Sequence, residues 1–298
     1  MKISYLSLLG GLTLAAASSS ALACSTCKCG DPTITLLGSE KAFSGRFRLG
    51  LDLLWRSETQ GADNNPRQIT TDESRAVLGV AYSASERLSF ALQMPYVEKT
   101  ITRRDFSREQ GRGWGDAELT ARYRLWKTGP MSGRHIAGLQ AGVRAPTGDT
   151  VRNNQGQVLN IDAQPDAGAW AGKFGGWYAF HQFPWFASVS AKYYQFGDAE
   201  QGFEPANVWV ASASSQYGLT PRFAVELGLD ARYSAENRYS GVIDQDSGGT
   251  LVVARIGASA RLGQELVTRL ALQLPAVDEL NGDQEEDPTV QVSLAYDF

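Results

Sequence analysis

Cysteine and long apolar runs are scarce in this 298-residue sequence, and both shortages exclude whole classes of protein. The three cysteines all lie between positions 24 and 29, so the rest of the chain has none with which to form a disulfide-stapled fold. After Ala23 no stretch of eighteen or more apolar residues occurs, which excludes a helical membrane protein. No run of basic residues suggests nucleic acid, and the formal net charge of −4 identifies no partner.

The N-terminus carries the features of a secretory signal peptide. Lys2 precedes an apolar run from about Ile3 to Ala17, and Ala21-Leu22-Ala23 supplies a small-x-small cleavage site. The run is short for a membrane anchor, which needs about 20 apolar residues. We therefore expect residues 1–23 to be a signal peptide and the mature chain to begin near Cys24, outside the cytoplasm. Lipidation of Cys24 is an alternative, although Leu22 stands two rather than three residues before it.

The mature chain is dominated by strict alternation of apolar and polar residues, the period of a β-strand with two different faces. In FRLGLDLLW, for example, Phe47, Leu49 and Leu51 share one face while Arg48 and Asp52 share the other. We count about twelve such segments, and no sustained helical pattern interrupts them. They begin near Arg46, Thr71, Arg87, Gly115, His135, Ala167, Trp185, Val208, Arg222, Thr250, Glu265 and Thr289.

The connections between these segments alternate between short and long. The short ones lie at 83–87, 128–133, 182–184, 218–221 and 263–264. The long ones lie at roughly 58–70, 104–114, 146–166, 197–206, 235–248 and 276–288. Short turns on one rim and long loops on the other are typical of bacterial outer-membrane barrels. We predict an all-β fold, a transmembrane antiparallel barrel of about twelve strands over residues 45–298, with short periplasmic turns and long extracellular loops.

A soluble β-sandwich is the alternative, and three features disfavour it. Charges run along whole polar faces, as in a wet lumen, and an open twelve-stranded sheet would expose long edges. The apolar faces end in aromatics that suit membrane-interface girdles. These aromatics are Trp55, Tyr82, Trp170, Tyr178, Tyr193, Tyr217, Tyr233 and Tyr296. The final segment, VQVSLAYDF, predicts a lipid-facing last strand that ends in Phe298, an aromatic of the type that barrel-insertion machinery reads.

The polar faces predict a lumen with more cations than carboxylates. The predicted pore-lining residues are Arg46, Arg48, Asp52, Glu118, Arg122, Arg124, Arg144, Lys173, Lys192, Glu226, Arg232, Arg255, Arg261 and Arg269, with Arg56, Asp116 and Asp230 also on inward faces. The excess of arginine favours a narrow, water-filled pore that prefers anions. The alternative is a lumen closed by cross-strand pairs between arginine and carboxylate side chains.

Cys24, Cys27 and Cys29 form a CxxCxC cluster in the N-terminal segment 24–44, which we expect to be a periplasmic segment or a small plug. Thiolates at this spacing can hold a soft ion such as Cu(I), or zinc with a further ligand. A disulfide between two of the three is an equal alternative in an oxidising compartment. The two histidines, His135 and His181, flank predicted short turns and so lie on the same rim as this segment.

Four short motifs give the sequence a resemblance to a known family. CGDPT at 29–33, GWGD at 113–116, PTGD at 146–149 and QPDAGAW at 164–170 occur in an order and spacing that resemble outer-membrane channels of the transporter, or MetA-pathway of phenol degradation, type. The resemblance implies a barrel channel and leaves the cargo open. Without it, these motifs read as turn formers that place Asp116 and Asp149 near the outer rim. The CSTCKCG start departs from the family pattern.

The expected function is passive diffusion of small solutes across the bacterial outer membrane, with a preference for anions or with an aromatic or organic cargo. No enzymatic activity is expected, because both histidines lie on the rim opposite to where barrel hydrolases need them and no HExxH motif occurs. Transport requires no cofactor. Expected partners are outer-membrane lipid and lipopolysaccharide, the insertion machinery and the solutes, with the protein a monomer. The rival function is soft-metal handling or extracellular electron transfer through the cysteine segment, and a third is a closed structural or adhesive barrel.

Overall fold

The computed structural model describes residues 47–61, 68–129, 135–199, 202–263 and 265–298, most of which lie in one antiparallel β-sheet. The strands of this sheet are β1 Phe47–Gln60, β2 Ile69–Ser83, β3 Leu88–Arg103, β4 Arg108–Trp114, β5 Ala117–Thr128, β6 His135–Ala145, β7 Ala171–Gln182, β8 Trp185–Phe196, β10 Val208–Gly218, β11 Phe223–Ser234, β14 Gly249–Leu262, β15 Leu266–Leu280, β16 Gln284–Glu286 and β17 Thr289–Asp297. Outside it lie β9 Phe203–Glu204, β12 Arg238–Tyr239, β13 Val242–Ile243 and one turn of 3-10 helix, Ile161–Ala163. No helix among the described residues has the length and apolarity needed to cross a membrane.

The sheet closes on itself because its first and last strands pair. β1 bonds to β2 on one side and to β17 on the other, with Arg48 opposite Asp297 and Trp55 opposite Val290. The backbone N–H of Phe298 donates to the Phe47 carbonyl at 2.9 Å. β4 and β5 both pair with β3 as successive parts of one strand, and β16 extends the β17 side against β1. The result is the predicted twelve-stranded closed antiparallel barrel.

The two faces of the barrel wall are inverted relative to a soluble protein. Leu294 in β17 is 39% exposed and Phe298, the residue after the strand, is 61% exposed, whereas Gln291 and Ser293 in β17 are 0% and 1% exposed. The apolar side chains therefore face outward and the polar ones face the interior. A closed sheet pairs the backbone groups of its strands within the protein, as a bilayer requires, and the inversion presents apolar side chains to lipid. The interpretation of VQVSLAYDF as a lipid-facing closing strand is confirmed.

Aromatic side chains form a girdle at each end of the apolar band. On the long-loop side, Tyr193 packs against Trp209 with ring centroids 4.8 Å apart, and Tyr233 lies next in register. On the short-turn side, Trp185 and Tyr217 are 4.9 Å apart. Of the predicted girdle aromatics, those that are exposed are Trp55, Tyr82, Trp170, Tyr217, Tyr233 and Tyr296. An apolar belt between two aromatic girdles on a closed barrel places the protein in the bacterial outer membrane.

Several boundaries differ from those expected from the sequence; β15, for example, continues to Leu280, into the expected loop 276–288. Most of 104–114 is strand rather than loop, because β3 and β4 form a hairpin that turns at 104–107. Its outward residues include Arg108 and Arg112, so the segment has no apolar face from which a strand could be recognised. The strand expected from Ala167 begins at Ala171, because the residues before it fold into the barrel.

A charge placed on the outer face should destabilise the barrel. Leu227 lies midway along β11 between Phe223 and Tyr233 and is 64% exposed. Leu227→Arg should lower the free energy of unfolding by about 2–4 kcal/mol, because the side chain would have to be desolvated at the centre of the bilayer. Urea titration in phospholipid vesicles measures this difference, with Leu227→Ala as the control for lost contacts. Equal stability of the two variants would mean that this face does not contact lipid.

Candidate solute pathway through the barrel lumen

The loop between β6 and β7, residues 146–170, folds into the barrel from the long-loop end, and we call it the mouth loop. Its inserted part includes Ile161, Ala163 and Ala167, none more than 6% exposed. Ala163 packs in a cluster with Ile69 and Ile101 from the outer ends of β2 and β3. Ile161 and Ala167 pack instead against Phe203 in β9. These contacts on two sides hold the loop across the outer mouth.

Polar contacts at the base of the mouth loop converge on Asp116, which lies between β4 and β5. The Asp116 carboxylate accepts hydrogen bonds from the backbone N–H groups of Gly148, at 3.1 Å, and Gly168, at 3.0 Å. In return, the Asp166 carboxylate accepts the Asp116 N–H at 3.2 Å. Asp149 accepts the Trp114 N–H at 2.7 Å. The GWGD, PTGD and QPDAGAW motifs thus meet at one place and fasten both ends of the loop to the wall.

A buried lysine on the neighbouring strand β3 supports the same loop. Lys99 in β3 is 0% exposed, and its ammonium group donates to the backbone carbonyl of Asp162 at 3.2 Å. On the same side, Glu73 forms ion pairs with Arg56 at 2.6 Å and Arg75 at 2.8 Å. Buried charges are tolerated where they are paired and hydrogen-bonded. The charges of β1–β3 therefore serve mainly to fill the outer part of the lumen.

Two further charge networks lie deeper in the lumen. In the first, Glu118 in β5 accepts from Lys173 and, at 3.1 Å, from Arg144, which also lies 3.4 Å from Asp166 of the mouth loop. This network therefore connects the wall to the loop. All of these side chains are buried.

The second network is centred on Glu226 in β11. Its carboxylate accepts from Arg255 at 2.9 Å, from Arg269 at 2.5 Å and from Gln216 at 2.9 Å. Arg255 also pairs with Asp230. Four neighbouring strands, β10, β11, β14 and β15, contribute to it, so it braces one side of the wall from within.

Below these networks a cavity of about 690 Å³ extends to the short-turn rim. Residues of both networks line its inner end, and the turns at 182–186 and 220–223 line its rim. No residue of the mouth loop contributes to its lining. The described structure is thus a barrel whose interior is accessible space on the short-turn side and packed protein on the long-loop side.

The structure places the predicted pore-lining residues in three settings. Six of them belong to the two deep networks: Glu118, Arg144, Lys173, Glu226, Arg255 and Arg269. Asp52 is also buried, and its carboxylate accepts a hydrogen bond from the Gln291 side chain at 3.4 Å. Arg48 pairs with Asp297 at 2.5 Å and Arg124 with Glu86 at 3.4 Å, both near the short-turn rim. Arg122, Lys192 and Arg261 line the cavity, whereas Arg232 is half-buried in β11 away from it.

Arg46 and the cluster of Cys24, Cys27 and Cys29 lie outside the described residues. Both histidines lie at the short-turn rim, but in different surroundings. His135 hydrogen-bonds the Tyr178 hydroxyl at 2.7 Å, while His181 lines the cavity. Among the described residues, no group of three His, Cys, Asp or Glu side chains could hold a metal ion.

Several cavity residues were missed by the sequence reasoning. Trp177 lines the cavity with Arg122 stacked on its ring, at 4.7 Å from guanidinium carbon to ring centroid. Its inward position was readable, because it shares parity in β7 with Lys173. Ser188 and Ser214, whose hydroxyls are 2.9 Å apart, also line the cavity but carried no signal. In the mouth loop, Asp166 was part of a recognised motif but was not assigned a contact.

Comparison with known proteins identifies the fold. No family model and no curated protein matches the chain. The COG4313 outer membrane channel from Pseudomonas putida F1 superposes with a TM-score of 0.70 at 16% identity, over 89% of this chain and 100% of that one. The transport unit of the autotransporter AIDA-I from Escherichia coli gives 0.52 at 12% identity, over 91% and 95%. The translocator domain of the autotransporter NalP from Neisseria meningitidis gives 0.50 at 11%, over 86% and 90%.

These similarities confirm the outer-membrane barrel fold and, at the level of fold, the resemblance to outer-membrane channels inferred from the motifs. Barrels of this size serve as channels in one neighbour and as translocator units in the others. The fold therefore does not by itself determine what passes through it. The side chains of the lumen must therefore indicate whether the protein acts as a channel or as a translocator unit.

Loss of the Asp116 carboxylate should release the mouth loop. Asp116→Ala leaves two partly buried N–H groups without their acceptor, at a cost of up to about 1–3 kcal/mol each. The amides of residues 160–169 should then exchange with deuterium at least about tenfold faster in detergent, as mass spectrometry of the peptides would show. Asn153→Ala at the exposed loop tip, where the Asn153 side chain accepts from Gln155 and Gln157, is the matched control. Unchanged exchange in Asp116→Ala would contradict the fastening role.

Proposed function

We propose that the protein is an outer-membrane channel for passive diffusion of small solutes, with a preference for anions. The observation that carries this proposal is the charge of the cavity. Eight of its lining residues are arginine or lysine and four are aspartate or glutamate. Positive charge in a narrow space with low-dielectric walls concentrates anions and repels cations.

The packing of the outer mouth adds a gating step to this function. A solute that has entered the cavity meets the deep networks and then the mouth loop, whose polar anchors are the Asp116 carboxylate and the Arg144–Asp166 pair. The loop is held in the mouth by side-chain packing and individual hydrogen bonds rather than by pairing as a strand of the wall, so its release opens a path without unfolding the wall. Conduction then depends on how often the loop leaves the mouth.

An aromatic or organic cargo is compatible with the same cavity, since Trp177, Phe186 and Tyr194 also line it. The rival function, soft-metal handling or electron transfer through Cys24, Cys27 and Cys29, concerns residues outside those described. It remains a prediction that metal analysis of the purified mature protein would test. A closed barrel with a structural or adhesive role is distinguished by the absence of current.

Single-channel recording in a planar bilayer tests the channel itself. Under a KCl gradient the purified protein should show small or intermittent currents whose reversal potential has the sign of anion selectivity. A variant in which residues 152–167 are replaced by a short glycine-serine linker should conduct several-fold more, because the packed segment is gone. No current from either folded protein would contradict the proposal.

The sign of the lumen charge tests the basis of the selectivity. Lys192→Glu reverses one cavity charge and should shift the reversal potential toward cations, because it enlarges the carboxylate share of the lining. Arg112→Glu makes the same charge change on the outer face of β4, at an exposed position, and should leave the potential unchanged. Equal shifts in both variants would show that the overall charge of the protein, rather than the lumen, sets the preference.

A further inference from the structure

One wall of the cavity, formed by β5–β8, combines an apolar patch with cationic side chains. The patch consists of Ile136, Trp177 and Ala179, with Phe186 packed against it. Trp177 and Phe186 line the cavity. An apolar patch on the cavity wall beside cationic side chains offers no favourable contact to water or to inorganic ions. It points to a solute with an apolar part.

A row of side chains next to this patch supplies positive charge. Arg122, Gln140, Gly175 and Lys192 stand opposite one another on successive strands, from β5 to β8. Gly175 contributes no side chain, so the row has a gap between Gln140 and Lys192. Trp177 lies two residues from Gly175 along β7, which puts the charges beside the indole.

Lys192 is the cation of this row that the protein leaves most available. No ion pair within 4.0 Å joins it to any carboxylate of the described part of the chain. Glu118 and Asp230, the carboxylates that interact electrostatically with Lys192, are already bound by Lys173 and Arg255. Since an unpaired cation in a partly enclosed site is costly, an anionic ligand there gains more than it would at the surface.

The Trp177 ring is held in place by its neighbours. A Cβ on Gly138, the residue opposite Trp177 in β6, would lie 2.8 Å from two indole carbons, so glycine is what allows the ring to lie against the wall. Arg122 covers it from the other direction at 4.7 Å. The Trp177 Nε1–H and the Gln140 side-chain NH₂ are buried with no acceptor among the described residues. Two unsatisfied donors in one wall call for an acceptor from outside the protein.

We propose that this wall is a binding subsite for small aromatic monocarboxylates. The carboxylate lies between Lys192 and Arg122, within reach of the Gln140 and Trp177 donors after small side-chain rotations, and the ring lies against Trp177 and Phe186. The cavity of about 690 Å³ is ample for such a solute. The inference names the solute class of the proposed channel and so rests on that function.

Calorimetric titration of the folded protein in detergent tests the subsite without requiring conduction. Benzoate should bind, and benzamide, which has the same ring and no charge, should bind at least about tenfold more weakly. Acetate, which has the charge and no ring, should show a similar loss, and hexanoate tests whether an aliphatic chain replaces the ring. Benzoate no tighter than benzamide or acetate would overturn the proposal, and hexanoate as tight as benzoate would overturn its aromatic part.

Substitutions in the proposed wall test whether benzoate binds there. Lys192→Gln and Trp177→Leu should each weaken benzoate binding about tenfold or more, and Lys192→Gln should also abolish the preference over benzamide. Arg112→Gln removes one charge from the outer face of β4, outside the cavity, and should change benzoate affinity by less than about twofold. Heat-modifiable migration on gels verifies that each variant is folded. Unchanged affinity in the first two, or an equal loss in all three, would overturn the assignment.

The proposed subsite and the proposed channel function are contradicted by different experimental results. Ionic current in KCl with no benzoate binding would overturn the subsite and leave the channel. Benzoate binding with no current would retain the subsite and overturn the proposed transport function.

Discussion

The pairing of β1 with β17 is the contact on which the rest of the molecule depends. In a bilayer every backbone N–H and C=O must be bonded within the protein, so a sheet survives only when it has no edge. The register from Arg48–Asp297 to Trp55–Val290 closes the sheet and fixes which residues face lipid. Because side chains alternate along every strand, closure also decides which residues are enclosed. The lumen and its charges are a consequence of that single register.

Enclosure forces the lumen charges to find partners. Glu118 and Glu226 each gather two cations from neighbouring strands, and Asp116 binds the backbone of the mouth loop instead of a cation. These paired charges, together with Asp116, therefore divide the interior into a packed outer part and an open inner part. The charge left over is positive and lies in the open part, as at Lys192. The anion preference of the cavity and the packing of its outer mouth thus both follow from how the lumen charges are paired.

The sequence predicted the strands of the barrel wall far better than the contacts inside the lumen. Strands such as β11 and β17 were recognisable because lipid on one side and water on the other impose a period of two at every step. The mouth loop was not, because its insertion depends on contacts between Asp116 and residues some fifty positions later, which no local pattern encodes. The GWGD and PTGD motifs identified the right residues but suggested turn formation alone. Likewise, Lys173 and Lys192 are equivalent in the sequence pattern, and only the barrel geometry shows that Glu118 forms its ion pair with Lys173.

The central claim is that the cavity is accessible from the short-turn side and sealed from the other side by the mouth loop. Thiol labelling at Ser214→Cys, a cavity position, tests it most directly in a background where Cys24, Cys27 and Cys29 are serine. In vesicles with the protein inserted in one known orientation, a membrane-impermeant thiol reagent should modify Cys at this site rapidly from the short-turn side and slowly from the long-loop side. Equal rates from the two sides would show that the mouth is open, and would contradict the account.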